Sequence, residues 1–241
     1  MSDALLTLKG VVTHIGAYHI LHGVDLTVRR GRVTMLLGRN GAGKTTTLRS
    51  IMGLWTPRAG SIEFDGQKLH QMSTPDIARL GIAYVPETMG IFGQLTVAEN
   101  MRLAATGSRF DEARLADVFR FFPILKTKWH DRAGLMSGGQ KQMLSVARAI
   151  VEERRLLVID EPTKGLAPSV IDELIACLLE LKARQTTILM VEQNFHMASA
   201  VGDDVAVMDN GVVVHRGAMA ELVASEDLQT KLLGLSLAAH Q

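Results

Sequence analysis

The stretch RVTMLLGRNGAGKTTTLRSIMGL, Arg32 to Leu54, constrains the fold more than any other part of this chain. A short apolar run ends in glycine, as a buried strand does. A glycine-rich loop follows, and the chain then reads as a helix. From Gly38 to Thr45 the spacing is glycine, four residues, then glycine–lysine–threonine. In that setting the glycines let backbone N–H groups turn inward onto phosphate oxygens, and the helix N-terminus adds a favourable dipole. We expect Gly38, Arg39, Asn40, Gly41, Ala42, Gly43, Lys44, Thr45 and Thr46 to hold a nucleoside triphosphate. Lys44 would reach the β- and γ-phosphates, and the Thr45 hydroxyl would take one Mg²⁺ position.

A strand feeding such a loop belongs to an α/β sheet, and the rest of the chain supplies one. Residues 5 to 30 read as short strands and turns, and SIEFDG and GIAYVPE as further strands. From Leu95 to Ile150 the pattern is helical. Thr96 and Glu99 form a capping box, DEARLADVFRFF starts acidic, and Pro123 stops it. Strands return in RRLLVID, TTILMV, DVAVMD and VVVHRG, with a helix near 168–184. Asn210-Gly211 between the last two strands signals a hairpin. The expectation is an α/β phosphate-loop NTPase core built from 1–90 and 151–241, with a helical insertion over 91–150.

LLVIDEP, Leu156 to Pro162, places two carboxylates after four buried-strand residues. The C-terminal ends of parallel strands line the ligand crevice. Asp160 would hold Mg²⁺, directly or through water. Glu161 would orient or deprotonate the attacking water.

GLMSGGQKQMLSVARAI, Gly134 to Ile150, opens a helix on two glycines. Ser137 and Gln140 make a capping box, which accounts for the serine and the glutamine. It does not account for Gly138 and Gly139, since glycine costs a helix roughly 1 kcal/mol relative to alanine. A bare helix N-terminus beside a serine hydroxyl is an anion site. Ser137, Gly138, Gly139 and Gln140 therefore form a second candidate phosphate contact. The residues leave open whether one nucleotide meets both contacts within one chain.

Bulk properties exclude several classes. The formal net charge is +1 and no basic block stands out, so nucleic acid is not an expected partner. The single cysteine, Cys177, falls on an amphipathic helical pattern and reads as a core thiol. No apolar run approaches a membrane span, and the opening MSDALLTLKG does not read as a signal peptide. The expectation is a soluble chain that serves a membrane only by docking on other chains.

GRNGAGKTT, MSGGQKQ and LLVIDEP, in this order with a helical region between the first two, resemble the ATP-binding subunits of ABC transporters. The resemblance spans almost the whole chain. It implies a single ATP-binding domain over 1–241, with an antiparallel β subdomain and an inserted α-helical signature lobe. ATP and Mg²⁺ are the implied cofactors. Two such subunits, alike or different, pair head to tail, and each ATP lies between one subunit's phosphate loop and the other's Ser137 helix start. Two membrane permease subunits and, indirectly, an extracytoplasmic substrate-binding protein complete the implied partners. The implied location is cytoplasmic, peripheral on the inner face of a bacterial membrane.

The chain departs from the family pattern in places. Met136 stands where leucine is usual. Glu87 stands where the family has a glutamine that senses γ-phosphate and Mg²⁺; a carboxylate there either binds Mg²⁺ or mainly couples to the permease. Gln193 replaces the switch histidine and is assigned with Glu161 to the catalytic set, while His196 lies one turn on. Ile15 occupies the position that normally stacks on adenine, and nearby Tyr18 is its alternative. The stretches VPE, VEQN and GLAP resemble ATPases of branched-chain amino-acid importers, with urea and short-amide importers close by. A soluble, non-transport ABC ATPase and an exporter ATPase are the alternatives.

Overall fold

A computed structural model describes residues 3–105 and 110–234. Met1 and Ser2 of MSDALLTLKG lie outside them. The fold starts from strands that are apolar on both faces. In β3 (Val33–Gly38), Val33, Met35 and Leu37 enter one core and Leu36 enters another. In the later strand Leu156–Asp160, Leu157 and Ile159 divide from Leu156 and Val158 in the same way. That alternation is why these segments read as continuous apolar runs: both faces of the sheet are covered.

The elements before β3 are β1 (Ala4–Ile15) and β2 (Tyr18–Arg29). After it come α1 (Lys44–Ile51), β4 (Ala59–Phe64), β5 (Gln67–Lys68), α2 (Thr74–Arg79) and β6 (Ile82–Val85). Four helices follow: α3 (Val97–Arg102), α4 (Glu112–Phe121), α5 (Pro123–Thr127) and α6 (Gly138–Ile150). The chain continues through β7 (Leu156–Asp160), α7 (Pro168–Ala183), β8 (Ile188–Val191), α8 (Phe195–Val201), β9 (Asp204–Asp209), β10 (Val212–Ala218), α9 (Met219–Ala224) and α10 (Glu226–Leu233).

Two sheets result. The larger runs β10-β9-β3-β8-β7-β6, parallel except for the β9–β10 hairpin. The smaller is antiparallel, in the order β2-β1-β4-β5. Leu6, Leu8, Phe64 and Ile62 of the smaller sheet share a core with Leu48 of α1 and with one face of the larger sheet. The other face packs against α6, α7 and α8, and through α6 against α3, α4 and α5. This is the expected α/β phosphate-loop fold with an antiparallel β subdomain, and the helices α3 to α6 fall between β6 and β7.

Local expectations differ at two points. Residues 5 to 30 form two twelve-residue strands rather than short ones. Register shifts at Leu8/Val11 and Thr13/His14 interrupt the alternation that would have shown their length. Pro123 does end α4, but it also begins α5 from the first helical position, where its missing N–H costs nothing. Among the described residues no helix is long and apolar enough to cross a membrane.

Candidate active site

The loop between β3 and α1 lies at the carboxyl edge of the parallel sheet. Gly38 has φ 140°, and a Cβ there would stand 2.2 Å from the Met208 carbonyl oxygen. Only glycine lets the chain leave β3 so close to β9. Ala42 turns its methyl into the core behind the loop. Lys44 is only 5% exposed. Its Nζ donates to the carbonyl oxygens of Gly38 at 2.9 Å and Arg39 at 3.1 Å. Burial pulls this ammonium below the ordinary lysine range, and the charges of Glu161 and Asp160 oppose that fall.

β7 delivers the carboxylates. Asp160 is fully buried, and burial raises its carboxyl above the usual range against hydrogen bonds from Thr45 and Tyr84. The Thr45 hydroxyl donates to its Oδ1 at 3.0 Å and the Tyr84 hydroxyl to its Oδ2 at 3.2 Å. Glu161 sits one residue beyond the strand with φ 47°, a left-handed backbone that a non-glycine residue adopts at a cost. Its Oε1 accepts from Gln193 Nε2 at 2.7 Å and lies 3.8 Å from Lys44 Nζ. Asn40, Gly41, Gly43, Lys44, Thr45, Thr46, Glu87 and Glu161 line one open cavity of about 350 Å³. Gly38, Arg39 and Gln193 line a smaller one of about 150 Å³.

Ser137, Gly138, Gly139 and Gln140 line neither cavity. Their capping box is complete: Gln140 N–H donates to Ser137 Oγ at 3.3 Å, and Ser137 N–H donates to Gln140 Oε1 at 3.1 Å. The two glycines differ. A Cβ on Gly138 would meet nothing within 4 Å, whereas one on Gly139 would come to 3.0 Å from Val170 on α7. Close packing thus explains Gly139, and only Gly138 leaves bare backbone facing open space.

Other candidates separate. Tyr18 is 76% exposed at the hairpin tip, paired with Ile15, and neither lines the cavity. Ile20 does, and it shares a strand face with Tyr18. His196 is exposed on α8, with Asp172 4.0 Å from its Nε2. Glu87 Oε1 accepts from Lys164 Nζ at 2.5 Å. Reading the sequence did not single out Glu192. This residue is 2% exposed, and its carboxylate accepts N–H bonds from Thr163, Gln193 and Asn194. It ties the Glu161 loop to the Gln193 loop. A charged residue directly after the buried run ILMV was its signal.

A carboxylate carried on left-handed backbone, a buried ammonium and a hydroxyl–carboxylate pair around one loop suit a nucleoside triphosphate. Among the described residues no group of three His, Cys, Asp or Glu could hold a metal alone. The Thr45–Asp160 oxygens fit Mg²⁺, which keeps waters and takes phosphate oxygens to complete its shell. Fold and site together define a phosphate-loop nucleotide-binding protein.

A family model described as ABC transporter matches residues 21–164. The BraG ATP-binding protein of high-affinity branched-chain amino-acid transport from Pseudomonas aeruginosa is 35% identical over 232 residues, covering 95% of this chain and all of the relative. A probable branched-chain amino-acid transport protein, LivF of Archaeoglobus fulgidus, is 34% identical, covering 90% of this chain and 93% of its own. A solved ATP-binding subunit of an ABC transporter superposes with TM-score 0.81 at 33% identity, covering 98% of this chain and 97% of that one. The chain belongs to the ABC transporter family, as an ATP-hydrolysing cassette.

Proposed function

We propose that this cassette powers import of branched-chain or related amino acids through two membrane permease subunits. The observation that carries this reading is the 35% identity to BraG along that protein's whole length. Cassettes of this family form dimers and pair with membrane subunits. In this reading the chain, as one domain with a helical lobe over 91–150, works on the cytoplasmic face of the membrane. A substrate-binding protein delivers cargo to the permeases from outside. Urea and short amides are the neighbouring cargo classes.

The geometry supports these residue roles within that reading. The loop amides of Gly38 to Thr46 and Lys44 hold the triphosphate and offset charge that grows on it during hydrolysis. Thr45 and Asp160 would hold Mg²⁺, which supplies Lewis-acid polarisation of the phosphate oxygens. Glu161 accepts the proton of the attacking water, and Gln193 fixes its Oε1. The Ser137–Gln140 helix start serves the nucleotide of the paired subunit, consistent with Gly138 facing open space in its own chain.

The test is reconstitution of the cassette with its permeases in vesicles. Leucine-loaded binding protein should stimulate ATP hydrolysis several-fold. Stimulation by a urea- or amide-loaded protein instead, with none by leucine, would replace the cargo assignment.

A further inference from the structure

Position 87 poses a charge problem. Glu87 and Glu161 both line the cavity of a loop that receives a polyanion. Two carboxylates there oppose an incoming phosphate. Lys164 lines the same cavity, three residues beyond Glu161. Its Nζ donates to Glu87 Oε1 at 2.5 Å and lies 3.8 Å from Glu161 Oε2. The other Glu161 oxygen lies 3.8 Å from Lys44 Nζ. Charges therefore alternate around the cavity as Glu87, Lys164, Glu161, Lys44. The Lys164 side chain is 62% exposed, so its place is set by the two carboxylates rather than by burial.

We propose that Lys164 is a positioning residue for ATP hydrolysis: its ammonium spans Glu87 and Glu161, cancels the charge at position 87, and steadies the Glu161 oxygen that Gln193 does not hold. Glutamate is tolerated at position 87 because lysine stands at position 164. This rests on the reading of the cavity as the nucleotide site.

A double-mutant cycle on binding tests it without relying on turnover. A fluorescent, non-hydrolysable ATP analogue with Mg²⁺ is titrated into wild type, Lys164→Ala, Glu87→Gln and the double variant. Lys164→Ala should weaken binding about fivefold, the scale of a partly exposed ion pair. Glu87→Gln frees the Lys164 ammonium and should bind at least as tightly as wild type, and adding it to Lys164→Ala should bring affinity back to within about twofold of wild type, because the two effects couple. Lys164→Arg should keep wild-type affinity, and about 0.5 M salt should shrink the Lys164→Ala effect. A double variant as weak as Lys164→Ala, or a Lys164→Ala variant with unchanged affinity, would overturn the proposal while leaving the nucleotide site intact. Failure of wild type to bind the analogue would remove the site reading and the proposal together.

Discussion

At the scale of single residues, three changes separate chemistry from scaffold. Glu161→Gln keeps the hydrogen bond partner of Gln193 but cannot take a proton. Turnover should fall at least about 100-fold with ATP affinity retained. Hydrolysis at the wild-type rate would remove Glu161 from the base role. Gly38→Ala would drive a methyl into the Met208 carbonyl, so stability should drop by about 2 kcal/mol or more in a urea melt. Burial pushes the Cys177 thiol up to about 12, so alkylation at pH 8 should proceed only after unfolding. The phosphate loop, Asp160 and Glu161 were legible in the sequence because their chemistry demands fixed spacing. Lys164 and Glu192 were not, because an exposed lysine in a turn and a lone buried glutamate carry no periodic signal.

Among the elements, α4 is pinned to α7 by a surface network. The Asp117 carboxylate accepts from Arg184 and Arg120, and Glu180 accepts from the same two arginines. Hydrogen bonding to Arg184 lowers Asp117 to about 2 from an ordinary 3.8. The folded-state value lies below the unfolded one. The stabilisation is therefore full above about pH 4 and is lost as pH falls through about 2. Asp117→Asn should cost about 1 kcal/mol or less at pH 6, given solvent screening, and the gap to wild type should shrink as pH falls below the unfolded-state value of 3.8 and close only below about 2. A gap independent of pH would place its cause outside the carboxylate charge. The glycines at the start of α6 make a second contrast. Gly138→Ala should leave stability unchanged or slightly raised, since there is room for a methyl, whereas Gly139→Ala must displace Val170. Sequence pattern caught the capping boxes at Thr96 and Ser137 and the Asn210-Gly211 hairpin, all set by local chemistry. It missed the length of β1 and β2, which pairing across irregular register decides.

At the scale of the whole molecule, two candidate phosphate contacts lie apart in one chain. The phosphate loop lines a cavity that Ser137 and Gly138 do not line, while Gly138 leaves open space at the start of α6, the helix start proposed above to serve the paired subunit's nucleotide. In the proposed reading one nucleotide meets both, and a second subunit supplies one of them. Ser137→Arg should therefore block ATP-driven pairing while leaving ATP affinity of the isolated chain nearly unchanged. A large loss of affinity in the monomer would put both contacts in one chain. The most direct test is the mass of purified Glu161→Gln protein by light scattering, with and without Mg-ATP. The mass should shift from monomer to dimer with ATP, and adding Ser137→Arg should abolish the shift. ATP binding with no change in mass, alone or in the presence of a paired cassette and the permeases, would contradict the proposed pairing.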